Sequence, residues 1–406
     1  MFVPNVGYKR SRQVFSDEQE AEREEYIQKA AKLYYGHSAK EVRSLAFDYG
    51  VNNNVKFPIG WSDVELASTD WFGGFLKRKK TLSIRTPEAT SLSRATSFNK
   101  HNVGRFFTNL SEVYVGYKFQ CQEVYNVDEA AVTTVHTPAK IVATKGIKQV
   151  GAITSAERGT LVTVALSVNA SGNSIPPFFV FPRKNFRDYF LRNGPEGSAG
   201  SANKSGLMTG QDFRSFMLHF IHHSRATRER SVLLLLDNNQ SHLDISVLHV
   251  AKENGVVLLS FPPHTSHKLQ PLDRAVFGPF KKYINSASDA WMKNNAGSTM
   301  TIYDIPFIVK LSLLSAATPR NIKAGFQVNG IWPFNRDIFT DDEFLPSAVT
   351  DRPYREDETL LSVSLTNSVG DGVPSTSTSV ESSPTPCTST VGSANSIHTH
   401  MCYLKN

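Results

Sequence analysis

Five consecutive aliphatic residues, Val232-Leu233-Leu234-Leu235-Leu236, run straight into Asp237-Asn238-Asn239-Gln240-Ser241-His242. The run is too short for an ordinary helix and shows no polar alternation. It reads as a strand, Ser231–Leu236, buried on both faces in a sheet that helices must cover on each side. Its neighbours fit that frame. Segments rich in Val, Ile, Thr and aromatics predict strands at Glu123–Val127, Gln149–Thr154, Thr160–Val168 and Ile175–Phe181. Asn193–Gly206 is polar and Gly/Ser-rich and reads as a loop. Thr209–His223 and Asp244–Asn254 read as helices, Val256–Ser260 as a strand, and Asp273–Asn294 as a long helix interrupted at Gly278-Pro279. Strands first, then alternating helix and strand, predict a mixed α/β sheet flanked by helices.

The same features exclude other classes. The longest aliphatic run is far short of the roughly 20 residues a membrane span needs, so no membrane partner is expected. Residues 1–10 contain no apolar stretch of the secretory kind. Cys121, Cys387 and Cys402 are scattered and odd in number, which argues against a disulfide framework or a Cys-based metal site and fits a reducing compartment.

Ahead of the sheet the chain reads as all-helical. Ser16-Asp17-Glu18-Gln19 and Ser38-Ala39-Lys40-Glu41 are capping boxes, with Gly36 and Gly50 as stops. Ser62-Asp63-Val64-Glu65 reads as a third box, whose helix would bury Val64, Ala67, Trp71 and Phe75. Three short helices with a tight turn and a basic exit suit a helix-turn-helix module. Thr86-Pro87-Glu88 reads as a further helix start, and Asn99–Leu110 as a helix with Val103, Phe106, Phe107 and Leu110 on one side. The divisions expected are an N-terminal arm (1–15), the helix-turn-helix module (16–82), a basic helical bridge (83–119), the α/β domain with a helical flank (120–345) and a tail (346–406). Residues 362–400 contain 18 Ser or Thr in 39 positions, which predicts disorder. Ser383-Pro384-Thr385-Pro386 there has the form of a phosphorylation site.

A formal charge of +7 on 406 residues says little until it is located. Residues 1–74 are net −2, residues 75–120 net +7 and residues 121–406 net +2. A clustered excess is an electrostatic footprint for a polyanion. Lys77, Arg78, Lys79, Lys80, Arg85, Arg94, Lys100 and Arg105 are the candidate DNA contacts, with a solvated helix end or an import signal as the plainer reading of the first four.

Three aspartates stand at element ends. Asp128 follows Val124-Tyr125-Asn126-Val127, Asp237 follows the buried strand, and Asp273 opens the long helix after Leu269-Gln270-Pro271-Leu272. Strand pairing would bring the first two together and the helix start would add the third. Clustered carboxylates repel unless a cation is present. Hard Mg²⁺ or Mn²⁺ prefers such oxygens, and a pair of such ions activates water and stabilises the leaving oxygen of a phosphodiester. Taken singly, each Asp is as readily a turn or helix cap. His219, His222 and His223 share a helix without Cys or a carboxylate motif, and read as helix surface rather than a zinc site.

The surrounding residues carry a resemblance. Asn126-Val127-Asp128-Glu129, Leu236-Asp237-Asn238-Asn239-Gln240-Ser241-His242 and Phe261-Pro262-Pro263-His264-Thr265-Ser266-His267-Lys268-Leu269-Gln270-Pro271-Leu272-Asp273 together resemble the DDE superfamily endonuclease domain of pogo, Tigger and jerky-like transposases. Trp71-Phe72-Gly73-Gly74-Phe75-Leu76-Lys77-Arg78 resembles the centromere-protein-B-type helix-turn-helix that accompanies it. The resemblance spans about residues 20–345. It implies a ribonuclease H-like fold and a metal-binding triad of Asp128, Asp237 and Asp273 for DNA strand cleavage and transfer. Glu129 and His242 would support the triad. Mg²⁺ or Mn²⁺ would be the cofactor, double-stranded DNA the partner, a homodimer the compatible assembly and the nucleus the location.

Three departures stand out. Ala130 and Ala131 follow Asp128-Glu129 where the family often has a small hydroxyl residue and then Gly. Arg274 follows Asp273 where an apolar residue is more usual. Relatives commonly carry a further helix-turn-helix upstream of this one, so the sequence is expected to be either a fragment or a relic with reduced end recognition. They leave room for a second expectation, a catalytically silent domesticated transposase that binds DNA as a nuclear regulator. A phosphohydrolase for small substrates would lack a nucleotide-binding loop and leave the basic stretch unexplained.

Overall fold

A computed structural model describes residues 13–138, 140–156 and 158–350. The N-terminal arm up to residue 12, the Ser/Thr-rich tail from residue 351 and two of the three cysteines lie outside the described residues.

Four helices come first: α1 (Asp17–Lys32), α2 (Ala39–Asn52), the short α3 (Ile59–Ser62) and α4 (Thr69–Arg78). Both predicted boxes form: Ser16 accepts from the Gln19 N–H and Ser38 from the Glu41 N–H, with each acid or amide side chain answering. The stops differ from expectation. α1 ends at Lys32, four residues before Gly36, Tyr34 takes a left-handed φ of 65°, and α2 runs through Gly50. The third box does not form. Ser62 ends α3, Glu65 turns the chain at φ 50°, and Ser68 caps α4. Val64 is therefore exposed, while Ala67, Trp71 and Phe75 are buried as expected. The module's core is aromatic, with Phe15, Trp61 and Trp71 in mutual ring contact. The Arg23 guanidinium sits 3.5 Å from the Phe15 ring centre and 3.9 Å from that of Tyr49. Desolvation lowers its pKa to about 10, so the ring faces are what make its burial tolerable.

Thr86-Pro87 starts no helix; α5 (Leu92–Ser97) begins five residues later under a Ser91 cap. α6 (Lys100–Tyr117) follows, capped by Asn99, and buries Val103, Phe106, Phe107 and Leu110. Its apolar face joins the core of the sheet, with Phe106 against Phe261 and Phe107 against Phe334.

The sheet has six strands in the order β4-β3-β2-β1-β5-β6. β1 (Val124–Thr133), β2 (Leu161–Asn169) and β3 (Ser174–Pro182) form an antiparallel meander. β5 (Val232–Leu236) and β6 (Val256–Ser260) run parallel to β1, and β4 (Ala199–Asn203) runs parallel to β3. This is the mixed, ribonuclease H-like arrangement that the motifs imply. α7 (Gly210–Ser224) and α8 (Ile245–Glu253) cover one face. The other is covered by α6 with α10 (Phe277–Asn294), α11 (Ile305–Ala316) and α12 (Pro319–Val328), joined by the short α9 (Ser266–Leu269) and followed by α13 (Asp341–Thr350). β5 is wholly buried between the layers, as its composition demands.

Two strand assignments change. Residues 149–154 form no strand: β2 already fills the edge of β1, and Ile153 is left 88% exposed. β4 forms instead within the Gly/Ser-rich segment. A Cβ on Gly200 would stand 2.7 Å from the Phe179 carbonyl oxygen and 2.8 Å from the Phe186 ring, so the small residues that suggested a loop are what let this strand lie close. The break in the long helix also moves. It is a single π turn at Leu272–Val276, and α10 continues unbroken through Gly278-Pro279.

The predicted basic exit of α4 is partly consumed by the fold. Arg78 makes a two-pronged ion pair with Glu20, at 2.9 and 2.5 Å, and the Glu20 side chain is fully buried. Lys79 pairs with Glu24 at 3.0 Å. Lys77 and Lys80 remain exposed. Arg78→Ala should destabilise the helical module by about 2–3 kcal/mol, because it strands a buried carboxylate. Lys77→Ala should cost less than about 0.5 kcal/mol. Denaturant unfolding followed by tryptophan fluorescence separates the two, and equal costs would contradict this assignment.

Candidate active site

The candidate site is built around one buried amide. Asn126 sits on β1 with no solvent exposure. Its Nδ2 group donates to the carbonyl of Leu235 at 3.1 Å and to Gln270 Oε1 at 3.1 Å, with the Val127 carbonyl at 3.3 Å. Its Oδ1 accepts the Leu272 N–H at 3.1 Å. Gln270, also fully buried, reaches the Val127 carbonyl at 3.5 Å. Each backbone contact lies one or two residues from an aspartate: Val127 beside Asp128, Leu235 two before Asp237, Leu272 beside Asp273. The motif residue Asn126 thus ties together the three segments that carry the carboxylates.

Strand register does the rest. Asn126 lies opposite Leu235 in the parallel β1–β5 pair, and the pairing ends there. Asp128 lies two residues beyond Asn126 and Asp237 two beyond Leu235, so both leave the same end of this pair. Asp128 does not end its strand, as the sequence suggested. β1 continues to Thr133 against β2, and the aspartate lies where the β5 side falls away. Asp273 enters from the π turn. That turn is pinned from behind by α12, where a Cβ on Gly325 would stand 2.5 Å from the Pro271 carbonyl oxygen. Asn329 adds a bond to the Leu269 carbonyl at 2.7 Å. The segment from Asn321 to Phe334 belongs to the layer on this face of the sheet and packs against this turn and α6 as well. There the Tyr114 hydroxyl donates to the Ile331 carbonyl and the Tyr114 ring meets Trp332 and Phe334 edge-on.

The electrostatics agree with convergence. Burial, then the charges of Asp273 and Glu129, hold the Asp128 carboxyl well above the ordinary carboxylate range. Hydrogen bonds from the Gln270 side chain and the Glu129 N–H, the latter at 2.9 Å, only partly oppose this. Desolvation also raises Asp273, with Asp237 adding to it and Lys281 and Arg94 working against it. Arg274 lies exposed next to it.

Asp237 is different. Desolvation would raise it, but His242 outweighs that and its pKa is lowered. His242 is 1% exposed and stands between two acids, with Nδ1 2.7 Å from Asp237 Oδ1 and Nε2 2.9 Å from Glu129 Oε1. Burial opposes its charge, yet the two carboxylates push its pKa up to about 10. Glu129 and His242, expected as supports, are thus joined in one chain, Glu129–His242–Asp237. Asn126 and Gln270 belong to the quoted motifs, but their part in the site was missed.

The donors suit a hard divalent cation in kind: three carboxylates, two of them raised chiefly by burial and in part by neighbouring acids, which a cation would offset. Among the described residues, no three His, Cys, Asp or Glu side chains stand together as a ready-made ligand group. The backbone positions converge, and the side chains are not gathered. Of the expected DNA contacts, Arg94 acts on Asp273 from α5, whereas Arg85 and Arg105 lie exposed and Lys100 pairs with Asp341.

Two outcomes follow from this geometry. Asn126→Ala leaves the Gln270 side chain and the Leu272 N–H without their partner, and should destabilise the protein by about 3 kcal/mol in urea unfolding. An effect below about 1 kcal/mol would show that the amide organises nothing. His242 has a folded pKa raised above its ordinary 6.5 to about 10. Its stabilisation is therefore complete below about 6.5 and is lost as pH rises through about 10. Thermal melts should show stability falling across that window in the parent and not in His242→Gln.

Comparison with known proteins gives the site a family. The model of the DDE superfamily endonuclease family matches residues 160–326, a span that includes Asp237 and Asp273 and begins after Asp128. A protein of Cochliobolus lunatus named MFS-type transporter clz9 is 27% identical over 227 residues, 55% of this chain but only 24% of that protein. No helix among the described residues is long and apolar enough to cross a membrane. Among solved structures, the mariner Mos1 paired-end complex with Mg is 12% identical, covering 82% of this chain and 81% of its own, at a TM-score of 0.45. The Mos1 strand transfer complex is also 12% identical, covering 83% and 79%, at 0.44. Residues 160–326, which include most of the mixed sheet, are thus similar to the DDE superfamily endonuclease family.

Proposed function

We propose that this chain is a divalent-metal-dependent DNA endonuclease or strand transferase acting in the nucleus. One observation carries the reading: a shared buried amide ties together the three segments that bear Asp128, Asp237 and Asp273 at one end of the sheet. Asp128, Asp237 and Asp273 would hold Mg²⁺ or Mn²⁺, which when bound activates water and stabilises the departing oxygen of a phosphodiester. Asn126 and Gln270 hold the three carboxylate-bearing segments in register. His242 keeps Asp237 ionised and oriented, and Glu129 holds the far nitrogen of the same ring. Arg94 and Lys281, whose charges act on Asp273, are suited to meet a phosphate there. The helical module with Lys77 and Lys80, and the exposed Arg85 and Arg105, would hold duplex DNA alongside.

A second reading has its own support. Asp237 is already neutralised by a buried imidazolium, and no three-ligand group is assembled among the described residues. That arrangement suits a domesticated protein that binds DNA and no longer cleaves it.

Strand nicking of supercoiled DNA by the full chain with Mg²⁺ or Mn²⁺ decides between them. The first reading expects metal-dependent nicking that Asp237→Ala reduces at least about a hundredfold, a loss of ~2.7 kcal/mol of transition-state stabilisation. DNA binding without nicking, or nicking that survives the substitution, would leave only the second.

A further inference from the structure

The first turn of α13 carries three consecutive acids, and each takes a lysine from a different part of the chain. Asp342 pairs with Lys32 at the end of α1 at 2.6 Å, Asp341 with Lys100 at the start of α6 at 2.9 Å, and Glu343 with Lys268 of α9 at 2.9 Å. Lys268 lies five positions before Asp273. The helix is seated by rings: Phe344 stacks on Phe98 at 5.2 Å, and Phe98 meets Phe339 edge-on at 5.0 Å. The Lys268 ammonium is 5.7 Å from the centre of the Phe98 ring. Exposed cationic groups continue along the surface from there. Arg94, Lys268 and Arg274 act on His267, and Arg94 and Lys281 act on Asp273. Cationic charge therefore lies both beside α13 and beside Asp273.

Two of the three ion pairs are open to water, with side-chain exposures of 48% and 57% for Lys32–Asp342 and 77% and 85% for Lys100–Asp341. Exposed pairs hold weakly and are screened by salt. Three lysines drawn from three elements are thus each neutralised by a carboxylate of one helical turn, and lysines of this kind are what phosphate oxygens take up.

We propose that the acidic first turn of α13 stands in for DNA phosphates on a track formed by Lys32, Lys100 and Lys268, so that duplex DNA approaching the aspartates displaces it. The proposal rests on the DNA-binding reading above. It makes α13 an internal competitor: DNA must exchange three intramolecular ion pairs for three phosphate contacts, and the released carboxylates take up cations as the phosphates give theirs up.

The test uses the full chain and a random-sequence duplex in EDTA, so that cleavage plays no part. Asp341→Asn, Asp342→Asn and Glu343→Gln together should bind at least about threefold tighter at low salt, with a salt slope steeper by up to ~0.9 for each lysine freed. Phe344→Ala, which removes the aromatic anchor and no charge, should shift affinity in the same direction. Adding Lys32→Gln, Lys100→Gln and Lys268→Gln to the neutralised chain should abolish the gain. If the parent binds duplex and the neutralised chain binds equally or more weakly, α13 is a structural tether and the proposal is wrong. If neither chain binds, the DNA-binding reading itself falls, and the competitor role with it.

Discussion

The candidate site depends on a hydrogen-bonded carboxamide with no access to water. Asn126 spends both of its amide hydrogens and its oxygen on segments distant in sequence, the end of β5 and the Gln270–Leu272 stretch. A buried amide is costly unless every polar atom finds a partner, and that condition makes it selective. Only one relative placement of the three segments satisfies it. The carboxylates themselves repel one another and cannot assemble the site by attraction. Their meeting is imposed by a neutral group behind them, with Gly325 and Asn329 pressing the third segment into place.

Charge in this protein is divided between folding and surface. The excess between residues 75 and 120 looks in sequence like a single basic stripe. In the structure Arg78 and Lys79 turn inward to acids on α1, and Lys100 is held by α13, while Lys77, Lys80, Arg85, Arg94 and Arg105 face outward. Within the site the same division recurs on a smaller scale. His242 is buried between two carboxylates, Glu129 and Asp237, whose negative charge raises its pKa and is offset in part by its proton.

What could be read from the sequence was local or contained in contiguous motifs. The buried strand, the two amino-terminal capping boxes, the apolar face of α6 and the positions of the three aspartates all depend on neighbours within a few residues. What could not be read depends on distant partners. Nothing near Arg78 announces Glu20, 58 positions upstream, and nothing near Asn126 announces Gln270, 144 positions downstream. β4 was missed because its small side chains resemble a loop, although smallness is what close approach to Phe179 and Phe186 requires. Residues 149–154 misled in the opposite sense, with β-forming composition but no free strand edge to pair with. Ser62 had the letters of a cap, but Trp61 anchors α3 in the module's core and Glu65 turns the chain before a helix can start.

The contact between α12 and the π turn sets where this domain can be cut. The family match ends at residue 326, inside α12, and begins at residue 160, after β1. A fragment with those limits would keep two aspartates but lose the strand bearing Asp128 and Asn126. It would also lose Asn329, which grips Leu269, and the Ile331 carbonyl that receives the Tyr114 hydroxyl. The smallest excised piece able to preserve the site's shape must therefore start no later than α6 and reach past Phe334, a span set by contacts rather than by resemblance.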